Sequence, residues 1–202
     1  MGYMSDASII VTDILDEHLA VVHAARTSMP ASVAELAAAL IASYEAGGRL
    51  LVFGNGGSAA DAQHFAAELT GHYRRDRRPL PALALTTDTS TLTATANDYA
   101  YEDVFARQVE AHCRPADVVV GISTSGNAEN VVRGLLAARA CGATTWALTG
   151  ATGGRLLAAA DHALQVPSED TARVQELHIT IIHALSELVD RWAATPQSSR
   201  QP

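Results

Sequence analysis

Two short segments of the chain combine glycines, hydroxyls and an amide in a way that suits an anionic ligand. Gly54-Asn55-Gly56-Gly57-Ser58 stands between an apolar run and a stretch with helical spacing. Glycine permits backbone angles closed to other residues and lets amide N–H groups come close to a ligand. A helix opening at Ser58 adds partial positive charge there. Ser123-Thr124-Ser125-Gly126-Asn127 repeats the arrangement with three consecutive hydroxyls. One such loop is as readily an ordinary tight turn. Two of them at the carboxyl edge of one sheet point to a phosphate or polyhydroxyl ligand. His64 and Glu68 lie four apart just beyond the glycine loop, and therefore on one helix face. Gln175 and His183 lie eight apart near the other end, about 80° from each other around a helix. A lone histidine is most often a hydrogen-bonded surface residue. His64 differs in having a carboxylate one turn away, on a helix whose start faces the candidate anion site.

Gly54-x-Gly56-x-x-Ala59 also fits the dinucleotide fingerprint G-x-G-x-x-G/A. That reading needs an acidic residue about 20 positions on, at the end of the second strand. Asp76 has the distance but lies in the basic run Arg74-Arg75-Asp76-Arg77-Arg78, and Asp88 comes too late. The Ser-Thr-Ser loop is also left unexplained, so a nicotinamide enzyme stands only as an alternative.

The elements that must carry these loops follow from periodicity. Residues 1–48 read as helix, with apolar residues at three and four spacings, broken into two helices at Pro30 and Ala31. Short apolar runs follow at 51–54, 81–85, 117–123, 144–150 and 162–167, and helical stretches such as 59–69 and 129–140 come between them. Strands alternating with helices, without hairpin signals, imply parallel pairing with right-handed crossovers. The expected fold is a three-layer αβα sandwich, doubly wound and flavodoxin-like, on a five-stranded parallel sheet with N-terminal helices in front. A last helix should begin near Ser168, which can cap it, and run to about Ala193. The reading is one domain over 1–202, with an α/β core at 49–193 and a disordered tail at 194–202.

Composition narrows the function classes. The chain has 202 residues, 48% of them hydrophobic and 18% charged, which excludes intrinsic disorder. A formal charge of −8 argues against nucleic-acid binding, which needs a basic footprint. No apolar stretch reaches the ~18 residues of a membrane span, and the start MGYMSDAS lacks signal-peptide character. Two cysteines, Cys113 and Cys141, make no disulfide framework, and a cytoplasmic location is expected. The basic run at 74–78 reads as a solvated loop, with a subunit contact or attraction of phosphate as alternatives. His18, His23, His72, His112, His162 and His178 have no chemical context and read as structural.

Four segments, GNGGSAADAQHFAAELTG (54–71), ALTTDTSTLTATANDYAYEDVFARQV (84–109), GISTSGNAENV (121–131) and SEDTARVQELH (168–178), resemble the phosphoheptose isomerase family of the sugar-isomerase (SIS) class. The resemblance implies an SIS-type fold and isomerisation of sedoheptulose 7-phosphate to D-glycero-D-manno-heptose 7-phosphate through an enediol. It implies Glu68 as base and His183 as acid, and a zinc ion, one per subunit, on His64, Glu68, Gln175 and His183. Without it, no ligand spacing in the chain would suggest a metal. It further implies substrate contacts at Asn55, Gly56, Gly57, Ser58, Glu68, Asn97, Asp98, Ser123, Thr124, Ser125 and Gln175. Ala128 departs from the family's common serine. A homotetramer is implied too, with active sites shared through the last-helix histidine, and the N-terminal helices offer apolar faces for it. The alternative from another class is a non-catalytic SIS-domain protein that binds a phosphosugar or associates with a replication initiator.

Overall fold

The computed structural model describes residues 2–195, so most of the expected tail lies outside the described residues. Two helices open the chain, α1 (Gly2–Ser28) and α2 (Pro30–Glu45), with Met29 between them. Pro30 takes the first position of α2, where its missing N–H leaves nothing unsatisfied. There follow β1 (Leu50–Gly54), α3 (Gly57–Thr70), β2 (Ala82–Ala84), α4 (Thr89–Asp98), a 3-10 turn at Tyr101–Asp103 and α5 (Ala106–His112). The chain then runs through β3 (Val118–Ser123), α6 (Glu129–Ala140), β4 (Thr144–Thr149), α7 (Leu156–Ala159), β5 (His162–Gln165) and α8 (Thr171–Ala194).

All five strands pair in parallel in the order β2-β1-β3-β4-β5. This is the flavodoxin-like order, doubly wound as the alternation of elements predicts. Every residue of β1 and β3 is buried, which explains why these strands read as continuous apolar runs. Side chains alternate across β1. Leu50 and Val52 join Leu36 and Leu40 of α2, Phe65 of α3 and Ile182 and Leu185 of α8. Leu51 and Phe53 join Val109 of α5, Val131 and Leu135 of α6 and Leu156 of α7. The sheet thus lies between two helical layers, with α3 and α8 in the same one.

Three expectations are corrected. The last helix is capped by Asp170, whose carboxylate accepts from the Arg173 N–H at 3.0 Å, and it begins at Thr171. The Ser168 hydroxyl reaches only as far as the Asp170 N–H, at 3.2 Å. Strand β2 covers three residues and not the whole of 81–85, since Pro81 has no N–H to give to a ladder. The basic run is solvated only in part: Arg74, Asp76 and Arg78 are exposed, whereas the Arg77 side chain is 1% exposed and its Nε donates to Asp190 at 2.9 Å. Arg75 pairs with Glu187 at 3.0 Å. Both partners lie on α8, more than a hundred residues on, where local charge patterning gives no sign of them.

The six histidines read as structural include three with clear packing roles. His18 Nδ1 meets Glu176 at 2.7 Å, and His162 stacks on Trp146 with ring centres 4.5 Å apart. His178 on α8 is fully buried, and its Nε2–H donates to the Thr149 carbonyl at the end of β4, at 3.4 Å. No described helix is long and apolar enough to cross a membrane.

Burial of His178 has a measurable consequence. Desolvation lowers its pKa from 6.5 to about 4, against the pull of its bond to Thr149. An unfolded chain takes up this proton near 6.5 and the folded one only near 4, so stability falls as pH falls through that window. The full effect is about 3 kcal/mol. His178→Gln keeps a donor for Thr149 and removes the titration. Melting temperatures of the two proteins, recorded from pH 7 to pH 4, should diverge against the wild type on acidification; parallel profiles would show that His178 titrates alike in both states.

Candidate active site

Parallel pairing sets Gly54 beside Ile122, so the glycine loop and the hydroxyl loop emerge side by side. The strand order reverses at this point, the usual place for a ligand in such sheets. Asn55 is fixed by a reciprocal amide pair: its Nδ2 donates to Asn130 Oδ1 at 2.8 Å, and Asn130 Nδ2 donates back at 2.9 Å. The Tyr101 hydroxyl donates to the same Asn55 Oδ1 at 2.9 Å. With that oxygen taken twice, one amide hydrogen of Asn55 remains for a ligand. Gly56 caps α3 at φ +55°, a conformation suited to glycine, and the first-turn amides beyond it have no partner within the helix. Gly57 lies against Gln175, where a Cβ would come within 2.5 Å of the Gln175 Nε2. Ser58 turns beneath the loop, buried against Gly54.

Ser123 ends β3 and is buried, Thr124 is half-buried and Ser125 exposed. Asn127 closes the turn, its N–H donating to the Ser125 hydroxyl at 3.2 Å and its side-chain amide to the Ser125 carbonyl at 3.0 Å. The helix after this loop begins only at Glu129, with Ala128 as its cap and no side-chain cap bond. The hydroxyls therefore stand before the helix and do not open it. Asn97 and Asp98 lie at the exposed end of α4, bonded to each other at 2.8 Å. Their hydrogen bond does not join them to either loop.

Helices α3 and α8 cross beside the glycine loop and bring three groups together. His64 Nε2 lies 2.9 Å from Glu68 Oε1 and 3.4 Å from His183 Nε2. One nitrogen of each imidazole and one carboxylate oxygen lie within 4.8 Å of one another. Glu68 and His183 are half-buried and His64 is open to solvent. His183 is sandwiched further by Tyr73, whose ring stacks on it with centres 5.7 Å apart. Asp61, one turn before His64, has a buried carboxylate oxygen with no hydrogen-bond partner. Burial pushes its carboxyl up to about 6, against the pull of His64.

Two nitrogens and one oxygen form a donor set that zinc accepts. Metal–ligand bonds of about 2.1 Å at tetrahedral angles place donor atoms roughly 3.4 Å apart, close to the spacing found. The residues present fit the ion, and Gln175, two turns before His183 on the same helix, is placed on the loop beside them. The histidine of α8 completes the triad of its own chain. Asn130, Tyr101 and Tyr73 were not foreseen as site residues. Asn130 and Tyr101 stand inside two of the distinctive segments, which was the available signal.

Comparison with known proteins shows the family. Residues 14–150 match the SIS domain family. The chain is 56% identical to phosphoheptose isomerase of Aquifex aeolicus over 158 residues, 78% of this chain and 83% of that one. It is 51% identical to phosphoheptose isomerase of Trichlorobacter lovleyi over 177 residues, 88% of this chain and 90% of the relative. Among solved structures, phosphoheptose isomerase of Neisseria gonorrhoeae superposes with a TM-score of 0.87 at 42% identity, covering 92% of this chain and 99% of the other. That of Francisella tularensis gives 0.89 at 35% identity, covering 92% and 98%. The chain is an isomerase and belongs to the phosphoheptose isomerase family of SIS-domain proteins.

Proposed function

We propose that the protein converts sedoheptulose 7-phosphate to D-glycero-D-manno-heptose 7-phosphate, with Glu68 and His183 moving the protons. The observation that carries this reading is the convergence of a carboxylate and two imidazoles beside two anion-suited loops, in a chain of this family. Glu68 takes a proton from C1 of the ketose while His183 gives one to the carbonyl oxygen at C2, leaving an enediol. Loss of the O1 proton and return of a proton to C2 then yield the aldose. Asn55, Gly56 and Gly57 orient the sugar, and Ser123, Thr124 and Ser125 hold the phosphate, with Asn97 and Asp98 assigned to sugar hydroxyls. His64, Glu68, Gln175 and His183 are the residues that would hold zinc; a His183 nitrogen on the ion would have no proton to give, so the proton transfers above require Glu68 and His183 to be free of it. When bound, the ion supplies Lewis-acid polarisation of the substrate's oxygens. His64 keeps the Glu68 carboxylate aligned, and Tyr73 keeps the His183 ring in one orientation.

A homotetramer belongs to the same proposal. Ile10, Ile14, Leu15 and Leu19 of α1 are 42–58% exposed on a helix that would otherwise bury such side chains. A second copy in closed symmetry is the common partner of such a face.

Glu68→Gln should lower turnover on sedoheptulose 7-phosphate by about 10²–10⁴-fold. Unchanged turnover in that variant would remove Glu68 from proton transfer, and an inert wild type would remove the substrate assignment. Alanine at Ser123 or Ser125 should raise KM more than it lowers kcat, as loss of uniform binding does; loss of kcat at constant KM would move these hydroxyls into the chemical step. Ala128→Ser supplies the cap that α6 lacks and should add about 1 kcal/mol of stability, with substrate affinity equal or tighter. A drop in either quantity, read by melting and by KM, would contradict the assignment of that loop. For the assembly, light scattering of wild type and of Ile14→Glu should give a tetramer and a smaller species; a monomeric wild type would refute it.

A further inference from the structure

The reaction assigned above needs the end of α3 and the middle of α8 held in one register, and apolar contact between helices slides easily along the axis. A buried ion pair sits where such a slide would have to occur. Arg77 follows α3 and turns back beneath it. Its Nη2 donates to the Glu68 carbonyl at 2.8 Å. Its Nη1 donates to the carbonyls of Leu69, Gly71 and Arg78 at 2.7, 2.9 and 3.0 Å. The Glu68 and Leu69 oxygens belong to the last turn of α3 and have no partner within the helix, and Gly71 follows it directly. Its Nε–H donates to Asp190 Oδ1 at 2.9 Å.

Asp190 is fully buried on α8, seven residues and so about two turns beyond His183. Its other oxygen accepts from the backbone N–H groups of Arg74 and Arg75 at 3.2 and 2.8 Å, and from Arg75 Nη1 at 3.5 Å. One guanidinium therefore grips the main chain of Glu68 with one nitrogen and α8 with another. The planar fork of arginine has the donors to do this at fixed angles, whereas an ammonium has not. Buried pairs of this kind are rarely the best way to stabilise a fold, since apolar residues of similar volume often do as well or better. A role in geometry accounts for what cohesion alone does not.

We propose that Arg77, held by Asp190, is a positioning residue that sets the separation between the Glu68 carboxylate and the His183 imidazole. This rests on the assignment of those two groups to proton transfer. Displacement of a reacting group by about 1 Å can cost 10²-fold in rate without loss of binding.

Arg77→Lys retains the charge beside Asp190 but cannot span to the carbonyls of Glu68 and Leu69. It should lower kcat about 10- to 100-fold on sedoheptulose 7-phosphate while KM stays within about twofold. Arg75→Ala is the control. It removes a cation from the same carboxylate without touching Glu68, and should lower the melting temperature with kcat unchanged. Should Arg77→Lys fail to fold, Asp190→Asn keeps an acceptor for the Arg74 and Arg75 amides and turns an NH2 toward the Arg77 Nε–H, while the Arg75 pairing that it also weakens is covered by the Arg75→Ala control; the same kcat loss is expected. Crystal structures give a readout that does not depend on the substrate: in Arg77→Lys or Asp190→Asn the distances from His64 to Glu68 and to His183 should depart from 2.9 and 3.4 Å. Unchanged distances overturn the proposal, as does a loss of kcat in Arg75→Ala that tracks stability to the same degree. A wild type inert on this substrate would overturn the assignment of the reaction instead, and the crystallographic distances would still decide the role of Arg77.

Discussion

The crossing of α3 over α8 is the contact on which the rest of the site depends. The two helices begin more than a hundred residues apart, and α3 carries two of the three ionisable groups that meet while α8 carries the third. Phe65 and Leu69 on one, and Ile182 and Leu185 on the other, are buried in the same core. That core fixes which faces look at each other, and those faces place Glu68 and His183 at the rim. The polar groups thus stand at the boundary of an apolar contact, where they are partly desolvated but still open to a ligand.

A second constraint comes from the sheet. Pairing of β1 with β3 makes two loops neighbours that the chain separates by sixty-odd residues. Each loop is then stiffened by bonds that do not belong to its own turn. Asn55 is held from Asn130 on α6 and from Tyr101 on the 3-10 turn. The hydroxyl loop is tied to the end of β4, where the Gly150 N–H donates to the Thr124 carbonyl at 3.0 Å. Groups that would contact a ligand are therefore oriented by the opposite layer before any ligand arrives, which lowers the ordering cost of binding.

Much of this was legible in the residue order, and the reasons differ from element to element. The apolar runs of β1 and β3 declare themselves because both faces of a parallel sheet are covered. The break at Pro30 is chemical and needs no context. His64 and Glu68 can be paired from their spacing alone, since four residues make one helical turn. That His183 joins them could not be read from spacing, because no local pattern says which two helices touch; likeness to a family supplied it. Arg77 was misread for the same reason. A basic cluster between turns looks solvated until a carboxylate on a distant helix is seen buried against it. Ser168 and Asp170 both suit a helix cap, and only the geometry of the first turn selects Asp170.

The two edges of the sheet carry a consequence for how copies of the chain can associate. The strand at one border has three residues preceded by a proline, and that at the other has four. Neither offers a long row of free main-chain donors and acceptors, so end-to-end extension of the sheet by another molecule has little to build on. Contacts between chains are left to the helical faces. Association in that case proceeds by side-chain matching, and growth by main-chain pairing of strand edges, the route to cross-β fibres, is disfavoured.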